Sequence, residues 1–164
     1  MNVLMVGVDQ SRKGGMWTVV ENYLMDKDFC QQTNLMYIPT ATFGSIPHRL
    51  LFSAKAFIRI YRQLRKQKTD IIHIHMAERG STFRAGIIEK IAGHFGCKII
   101  IHMHGAEFAA WYNHCGNYIQ KIIRKVLDRA DTIIILGSYL KDFINPLIVE
   151  SNKIQVLYNA VQMP

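Results

Sequence analysis

Short apolar runs alternate with longer segments of helical periodicity, and this alternation restricts the chain to few folds. Runs such as TIIIL contain almost no polar residues, so both faces of these strands are predicted to be buried. Buried strands that alternate with helices form a parallel sheet with helices on both faces and right-handed crossovers. We therefore predict one α/β domain over residues 1–164, a Rossmann-like doubly wound parallel sheet of about six or seven strands. The predicted strands lie at residues 3–8, 34–38, 70–75, 98–103, 132–136 and 154–157.

The segments between the strands predict five helices, at residues 16–25, 48–68, 81–94, 117–130 and 138–145. Ser81 and Ser138 are expected to cap the third and the fifth helix. Residues 105–116 are predicted to form an aromatic-rich loop. In the long helix, helical spacing predicts one inward-facing apolar stripe, formed by Leu50, Ala54, Phe57, Ile58, Tyr61 and Leu64.

Composition limits the location and the partners. The cysteines Cys30, Cys97 and Cys115 are odd in number and far apart, which predicts a reducing, cytoplasmic compartment. The sequence contains neither an apolar run of about 18 to 20 residues nor a signal peptide. A net charge of +8 favours anionic partners, namely phosphates, anionic lipid headgroups or nucleic acid. Because no nucleic-acid-binding motif is visible, we expect no nucleic acid as partner.

The glycine pair Gly14-Gly15 follows the first predicted strand and opens a helix. Amides at a helix start bind anions, so a phosphate or a sugar hydroxyl could approach this backbone, with Lys13 adding charge. A flexible turn without a ligand is the alternative. The pattern is neither G-x-G-x-x-G nor a P-loop, which disfavours a dinucleotide site.

The predicted strand ends also place histidines and a charged pair at the ligand-binding rim of the sheet. His73 with His75, and His102 with His104, lie two residues apart on neighbouring strands. Such histidines could bind zinc, but without an accompanying carboxylate pattern they are more typical of hydrogen-bonded core residues, and we predict no metal. His104 precedes a glycine at a strand end, which favours exposure to the cleft and a function.

Two groups of charged residues allow both a functional and a passive interpretation. Glu78 and Arg79 lie at the same rim, where Arg79 could hold an anionic substrate group, or the two could be an exposed loop pair. On the long helix, a basic stripe has the spacing of a membrane-contacting face or of an ordinary solvated face. We define this basic stripe as Lys55, Arg59, Arg62 and Lys66.

Taken in order, these segments resemble the N-terminal half of a retaining glycosyltransferase of family 4, with the GT-B fold. KGGM resembles the glycine loop of that family, and DIIHIHMAERGS resembles its Asp-hydrophobic-His-x-His strand end. IIIHMHGAEF resembles its His-Gly strand end, and ADTIIILGSYLKDFI a later strand followed by a helix. VLYNAV resembles the segment that crosses into the second domain, although Tyr158 and Ala160 replace its usual proline and glycine.

The resemblance implies an active site between two domains, with a C-terminal donor-binding domain that this chain lacks. It implies that Gly14, Gly15 and Met16 border the donor phosphates and the acceptor, and that His104 faces the donor sugar as the catalytic residue. It further implies that acceptor is contacted by Glu78, Arg79 and the loop from Glu107 to Tyr112, and that Asn159 lies at the hinge.

The implied reaction moves a sugar, with retention, from a nucleotide-sugar to a glycan or lipid-linked acceptor, and needs no metal or other cofactor. A fragment of this kind is expected to be inactive alone, with a location in the cytoplasm or at the inner face of the membrane. The alternative is a non-catalytic flavodoxin-like binding module with a basic membrane-surface helix. A receiver domain is disfavoured because only Asp9 follows the first strand.

Overall fold

The structure is a computed structural model that describes residues 1–158. Its sheet has six parallel strands in the order β2-β1-β3-β4-β5-β6, which confirms the predicted doubly wound α/β fold. The order reverses between β1 and β3, and in such sheets ligands bind beyond the strand ends at this point. The strands are β1 (Val3–Val8), β2 (Met36–Ala41), β3 (Ile71–Met76), β4 (Lys98–Met103), β5 (Thr132–Ile135) and β6 (Ile154–Val156).

Seven α-helices lie among the described residues, two more than the five predicted. They are α1 (Gly15–Met25), α2 (Lys27–Thr33), α3 (Ile46–Lys66), α4 (Gly80–His94), α5 (Phe108–His114), α6 (Asn117–Arg129) and α7 (Tyr139–Ile144). The unpredicted α2 is capped by Asp26, whose carboxylate accepts a hydrogen bond from the Phe29 amide at 2.9 Å. The unpredicted α5 lies within the expected loop 105–116. This segment is helical because the helix buries Phe108 and Tyr112 on one side.

Of the two predicted serine caps, Ser81 is wrong and Ser138 is correct in position. The capping position of α4 is Arg79, and the Ser81 hydroxyl instead accepts a hydrogen bond from the Ala77 amide at 3.1 Å. Ser138 occupies the capping position of α7, but its hydroxyl makes no capping hydrogen bond. Serine is also common in turns without capping, so the position of Ser81 beside an apolar segment did not identify the first turn of α4.

The inner face predicted for α3 is also wrong in most of its positions. Ser53, Ala56, Ile60 and Leu64 are buried against the sheet, whereas much of the predicted stripe is exposed, including Leu50 at 67%. Apolar residues cover so much of this helix that periodicity alone did not separate the two faces. The Ser53 hydroxyl can be buried because it donates a hydrogen bond to the Thr40 carbonyl at 2.9 Å.

Helices α4 and α6 pack closely against each other. A Cβ added at Gly86 of α4 would lie 2.9 Å from Cγ2 of Val126 in α6, so only glycine fits there without a shift. Glu89, one turn further along α4, is almost fully buried, and its Oε2 lies 3.9 Å from Nη1 of Arg129. Burial raises the pKa of Glu89 to about 8, and the charges of Arg129 and Lys153 only partly oppose this effect.

In the part of the chain that the structure describes, every helix is too short or too polar to cross a lipid bilayer.

Candidate functional site

A cavity of about 510 Å³ opens beyond the carboxyl ends of β1 and β3, next to the point where the strand order reverses. Five of the residues predicted to form the site line it, namely Gly14, Gly15, Met16, Glu78 and Arg79. His104 and Glu107 are not among its lining residues. The fold therefore brings together the residues from the first and third strand ends, while the residues from the fourth strand end lie beside the cavity.

Gly14 and Gly15 form an unobstructed wall of this cavity. A Cβ built on either glycine would have no atom within 4 Å, and Gly14 has a φ of +157°, which side-chain-bearing residues rarely adopt. α1 begins at Gly15, and the first amides of a helix have no partner within the helix. These amides and the positive end of the helix dipole favour an anion at this place.

Positive charge dominates the rest of the cavity wall. Its basic side chains are Arg12, Lys13, Arg49, Arg79 and Arg84, and its one carboxylate belongs to Glu78. The pKa of Arg84 is lowered to about 10, first by burial and then by the charges of Arg12 and Arg49. Within residues 1–158, no carboxylate forms an ion pair with any of these three arginines. An unpaired cluster of guanidinium groups, in which Arg12 and Arg84 are partly buried and Arg49 is exposed, favours binding of a phosphate or another compact anion.

Arg12, Arg49 and Arg84, which we call the arginine cluster, were not predicted as site residues. They come from the loop after β1, the first turn of α3 and the second turn of α4. The sequence contains one signal for them, since both α3 and α4 begin at the rim and a basic residue in a first or second turn lies near it. Their convergence depends on tertiary structure.

The turn between β3 and α4 is strained and tightly packed. Arg79 has a φ of +60°, a conformation that costs about 1–3 kcal/mol for a residue with a side chain and that often occurs at functional sites. The neighbouring Glu78 buries its Oε2 against Gly105, where any added Cβ would overlap that oxygen. Arg79 also reaches Glu107, with Nη2 4.0 Å from Oε2, although both side chains are largely exposed. Glu107 therefore lies at the edge of the cavity beside Arg79.

Four imidazoles on β3 and at the end of β4 form the histidine cluster, defined as His73, His75, His102 and His104. Ring nitrogens pair across the strands, His73 Nε2 with His102 Nδ1 at 3.3 Å and His75 Nδ1 with His104 Nε2 at 2.8 Å. The ring of Tyr23 packs edge-on against three of them. These contacts agree with the prediction of hydrogen-bonded core histidines.

The histidine cluster is held in the neutral form. Burial lowers the pKa of His73 to about 3 and that of His102 to about 4. Burial, followed by the neighbouring His102 and His73, lowers the pKa of His104 to about 3. The expected exposure of His104 is only partial, because its ring packs into the cluster and its Nδ1 is buried without a hydrogen-bond partner among the described residues. A catalytic role for His104 stays a prediction.

Three of these histidines have a spacing that could hold a metal ion. One ring nitrogen from each of His73, His75 and His102 lies within 4.8 Å of the other two. However, the two rings of each imidazole pair are already joined by a hydrogen bond, which uses one nitrogen of each ring. A neutral imidazole has one donor and one acceptor nitrogen, so each pair can form without a metal, although the second ring nitrogens of His75, His102 and His104 are buried without a hydrogen-bond partner among the described residues. The geometry favours paired imidazoles, and the expectation of no metal stays a prediction.

The basic stripe is exposed along α3, with Lys55, Arg59, Arg62 and Lys66 all on the solvent side. The predicted hinge residue Asn159 lies outside the described residues.

Comparison with known proteins places this geometry in a family. The model of Glycosyltransferase Family 4 matches residues 19–163. A protein of Klebsiella pneumoniae, described as an uncharacterized 41.2 kDa protein in the cps region, is 28% identical over 175 residues, covering 99% of this chain and 48% of that protein. The chain thus spans about half the length of this relative.

Two solved structures share the fold. They are crystal structures of Anabaena Alr3699/HepE, one in complex with UDP and one with UDP and glucose. The first has a TM-score of 0.60 and 11% identity over 98% of this chain and 44% of that one. The second has a TM-score of 0.57 and 13% identity over 98% and 45%. This likeness confirms the predicted fold, one half of a GT-B glycosyltransferase, and the family match covers most of the sequence. The chain belongs to Glycosyltransferase Family 4.

Proposed function

We propose that this chain is the acceptor-side half of a retaining glycosyltransferase that moves a sugar from a nucleotide-sugar to a glycan or lipid-linked acceptor. The observation that carries the proposal is the open glycine wall at the start of α1 within a cavity dominated by arginines. HepE, which shares the fold, was crystallised with UDP and with glucose, and this supports a nucleotide-sugar as co-substrate. A second, donor-binding domain would complete the cleft, so we expect the isolated chain to be inactive.

The proposed chemistry follows from the charge that develops during transfer. When the sugar leaves its nucleotide diphosphate, negative charge grows on the departing phosphate. Amides at Gly14 and Gly15 would stabilise this charge without reorganising, as preorganised donors do in other transferases and hydrolases. In a front-face mechanism the departing phosphate accepts the acceptor's proton, so this half needs no strong side-chain base.

In the same proposal, the residues beside the cavity position the acceptor and the sugar. His104 is neutral, its Nε2 pairs with His75 and its Nδ1 is buried, so a hydrogen bond to the donor sugar would require the imidazole to turn out of the histidine cluster. Arg79, held by its strained turn, and the nearby Glu78 and Glu107 would contact the acceptor. Met16, which lines the cavity, would lie between the phosphates and the acceptor.

The test uses the longest natural chain that contains this sequence, incubated with a panel of nucleotide-sugars. Gly15→Val places a side chain in the open wall, and we expect kcat/KM to fall by about 10²-fold or more, as when one oxyanion donor is lost. The control is Gly116→Val, since Gly116 lies at the start of α6 as its N-cap residue and also has open space around it. Equal activity of both variants, or no consumption of any donor by the unaltered chain, would contradict the proposal.

A second role, binding to an anionic membrane surface through the basic stripe, is supported by the composition of α3. This helix contains six basic residues and no acidic one between Ile46 and Lys66. Several of its apolar side chains are also exposed, among them Leu51 at 56% and Ile58 at 52%. Exposed apolar and basic residues on one helix are typical of peripheral membrane contact.

A further inference from the structure

A groove between α4 and α6 lies outside the cavity to which the transfer reaction is assigned. It shares no lining residue with that cavity. Its volume of about 310 Å³ is at the lower end of the range for small-molecule sites. Its floor is narrow, because Gly86 of α4 lies directly against Val126 of α6. The groove therefore has the size of a site for a small molecule, or for one or two units of a longer chain.

The groove is aromatic at one end and cationic at the other. Helices α4 and α6 both follow strands of a parallel sheet, so they run in the same direction and begin at the ligand-binding edge. Phe83 and Tyr118 lie in their first turns, at the end of the groove nearest that edge. Lys90, Lys125 and Arg129 lie two to three turns further along. At 1.5 Å per residue, the two ends are about 10 Å apart along α4.

The aromatic end is open to a ligand. Tyr118 is 76% exposed and Phe83 is 38% exposed. The ring of Phe83 is positioned by Trp111, which packs edge-on against it with the ring centroids 6.4 Å apart. Exposed aromatic rings bind flat apolar surfaces, and the phenol of tyrosine adds a hydrogen-bonding group. The C–H face of a sugar ring is such a surface, and its hydroxyls are suited to the phenol.

The cationic end has no carboxylate among its described lining residues. Lys90 and Lys125 are exposed and form no ion pair within residues 1–158. Arg129 lies 3.9 Å from Glu89, but neither Glu89 oxygen has a hydrogen-bond partner among the described residues. Because burial raises the pKa of Glu89 to about 8, this carboxyl is mostly protonated at neutral pH and leaves the charge of Arg129 available. Three such cations favour a carboxylate or another compact anion.

The shape of the groove decides between a sugar and a hydrocarbon chain. Its aromatic end is shallow, since Tyr118 and Phe83 are both exposed. A hydrocarbon chain would leave much of its surface in water there and would gain little from binding. A sugar ring can pack one face on the aromatic side chains and keep its hydroxyls in water. The ligand that satisfies both ends is therefore a saccharide that carries a carboxylate, about two sugar rings long.

We propose that the groove between α4 and α6 binds a carboxylate-bearing sugar unit of the glycan, with a ring on Tyr118 and the carboxylate among Lys90, Lys125 and Arg129. This inference deepens the proposed function and rests on it, because it takes the acceptor to be a glycan and specifies an acidic one. The groove begins at the edge of the sheet that also carries Gly14-Gly15. A glycan held there would direct its other end toward the cavity.

Binding of acidic disaccharides to the longest natural chain tests the proposal. The probes are digalacturonate and a glucuronate–glucose disaccharide, each compared with its neutral counterpart. The affinity is measured from the chemical shift of the Ile122 methyl group, which lines the groove and so reports binding at this place. Because only the acidic members reach the three cations, we expect at least one to bind about tenfold more tightly than its counterpart, equivalent to about 1.4 kcal/mol. Equal affinity within both pairs would overturn the proposal.

Two further probes separate the saccharide from other anions. Acetate has the charge without the ring, and we expect it to bind more weakly than the acidic disaccharides. UMP has an aromatic base and a phosphate, which also suit an aromatic and cationic groove. If UMP shifts the Ile122 methyl group at lower concentration than either acidic disaccharide does, the groove is a nucleotide site and the proposal is overturned.

Variants separate the two ends of the groove. Lys125→Gln should weaken the acidic disaccharide about threefold to fivefold and leave its neutral counterpart unchanged, as expected for one exposed charge pair. Tyr118→Ser should weaken both members, because it removes the ring on which the sugar packs. Both side chains are exposed, so neither change removes a core contact.

The matched controls are Lys121→Gln and Tyr139→Ser, which make the same changes at exposed positions outside the groove. Neither control should alter the affinity for any disaccharide. Unchanged affinity in both test variants, or an equal loss in the test and control variants, would overturn the proposal.

The outcome is separable from that of the transferase function. If the longest natural chain consumes a nucleotide-sugar but prefers neither acidic disaccharide, the acidic-sugar inference fails and the transferase function stands. If the acidic disaccharides bind as expected and no donor in the panel is consumed, the transferase function fails and the groove remains a site for acidic sugars.

Discussion

At the residue scale, the histidine cluster couples the stability of the sheet to pH. Four imidazoles share the space between β3, β4 and Tyr23, and all are held neutral by burial. An exposed imidazole titrates near pH 6.5, whereas His73 and His102 have folded-state pKa values of about 3 and about 4. Between these limits the unfolded chain binds more protons than the folded chain. The free energy of unfolding is therefore highest, as far as these imidazoles determine it, above about pH 6.5. It falls as the pH is lowered toward 4.

Replacing one of these imidazoles should reduce that pH dependence. We expect His73→Gln to lower the slope of unfolding free energy against pH, between about pH 6 and pH 4, by up to about 1.4 kcal/mol per pH unit. Denaturant unfolding at a series of pH values measures the slope. The exposed His94→Gln is the control and should change the slope less. An unchanged slope in His73→Gln would mean that its imidazole is not held neutral.

At the element scale, α4 links the site to the remainder of the domain. Its N-terminus carries the strained Arg79 and the cavity-lining Arg84, while its middle packs on α6 through Gly86. Two glycines of this helix differ in surroundings, since Gly86 contacts Val126 and Gly93 has no atom within 4 Å of an added Cβ. The same substitution at these positions therefore separates helix propensity from packing.

We expect opposite effects of alanine at the two positions. Gly93→Ala should raise the free energy of unfolding by about 0.5–1 kcal/mol, because alanine restricts the unfolded chain and favours the helix. Gly86→Ala should lower it by about 1–3 kcal/mol, because its methyl group would force α4 and α6 apart. Denaturant unfolding of both variants and of the unaltered chain measures these changes in the free energy of unfolding. Stabilisation by both would show that the two helices are not in close contact.

How far the elements could be predicted from the sequence depends on what specifies each one. The strands are continuous apolar runs, and burial on both faces makes such runs recognisable. By contrast, α2 is short and depends on the Asp26 cap, and α5 depends on burying Phe108 and Tyr112. The buried face of α3 and the convergence of the arginine cluster are set by tertiary packing. The glycine pair could be identified because it directly follows the apolar run of β1 and opens the next helix, which are features of neighbouring residues in the sequence.

At the scale of the whole molecule, a net charge of +8 is distributed unevenly. The arginine cluster and the basic stripe both involve α3, which has no acidic residue. Long-range attraction to an anionic surface weakens with salt, because the screening length shortens to about 8 Å at physiological ionic strength. Because α3 carries these basic groups and no acidic residue, we expect the α3 side of the domain to face an anionic membrane surface.

Reversing the basic stripe should test that orientation. Changing Lys55, Arg59, Arg62 and Lys66 to glutamate should abolish most binding to phosphatidylglycerol vesicles at low salt, because each basic residue near the surface contributes about 1 kcal/mol. Vesicle co-sedimentation measures the fraction of the chain that is bound. A control chain with glutamate at the exposed Lys90, Lys121, Lys125 and Lys141 has the same net charge. Equal loss in both chains would indicate attraction by net charge alone, and retained binding in the reversed stripe would mean that the stripe is only solvated.

The strand order has a consequence for how the chain reaches its native state. All five strand pairings are parallel, so each one joins segments separated by at least one helix. No hairpin is available to nucleate the described sheet, and every pairing requires closure of a long loop. We expect refolding to be slow for a domain of this size, with helical signal appearing before protection of the strand amides from exchange. While the chain is in this partly folded state, its apolar strands are unpaired and can associate with those of other copies. Slow refolding therefore increases aggregation.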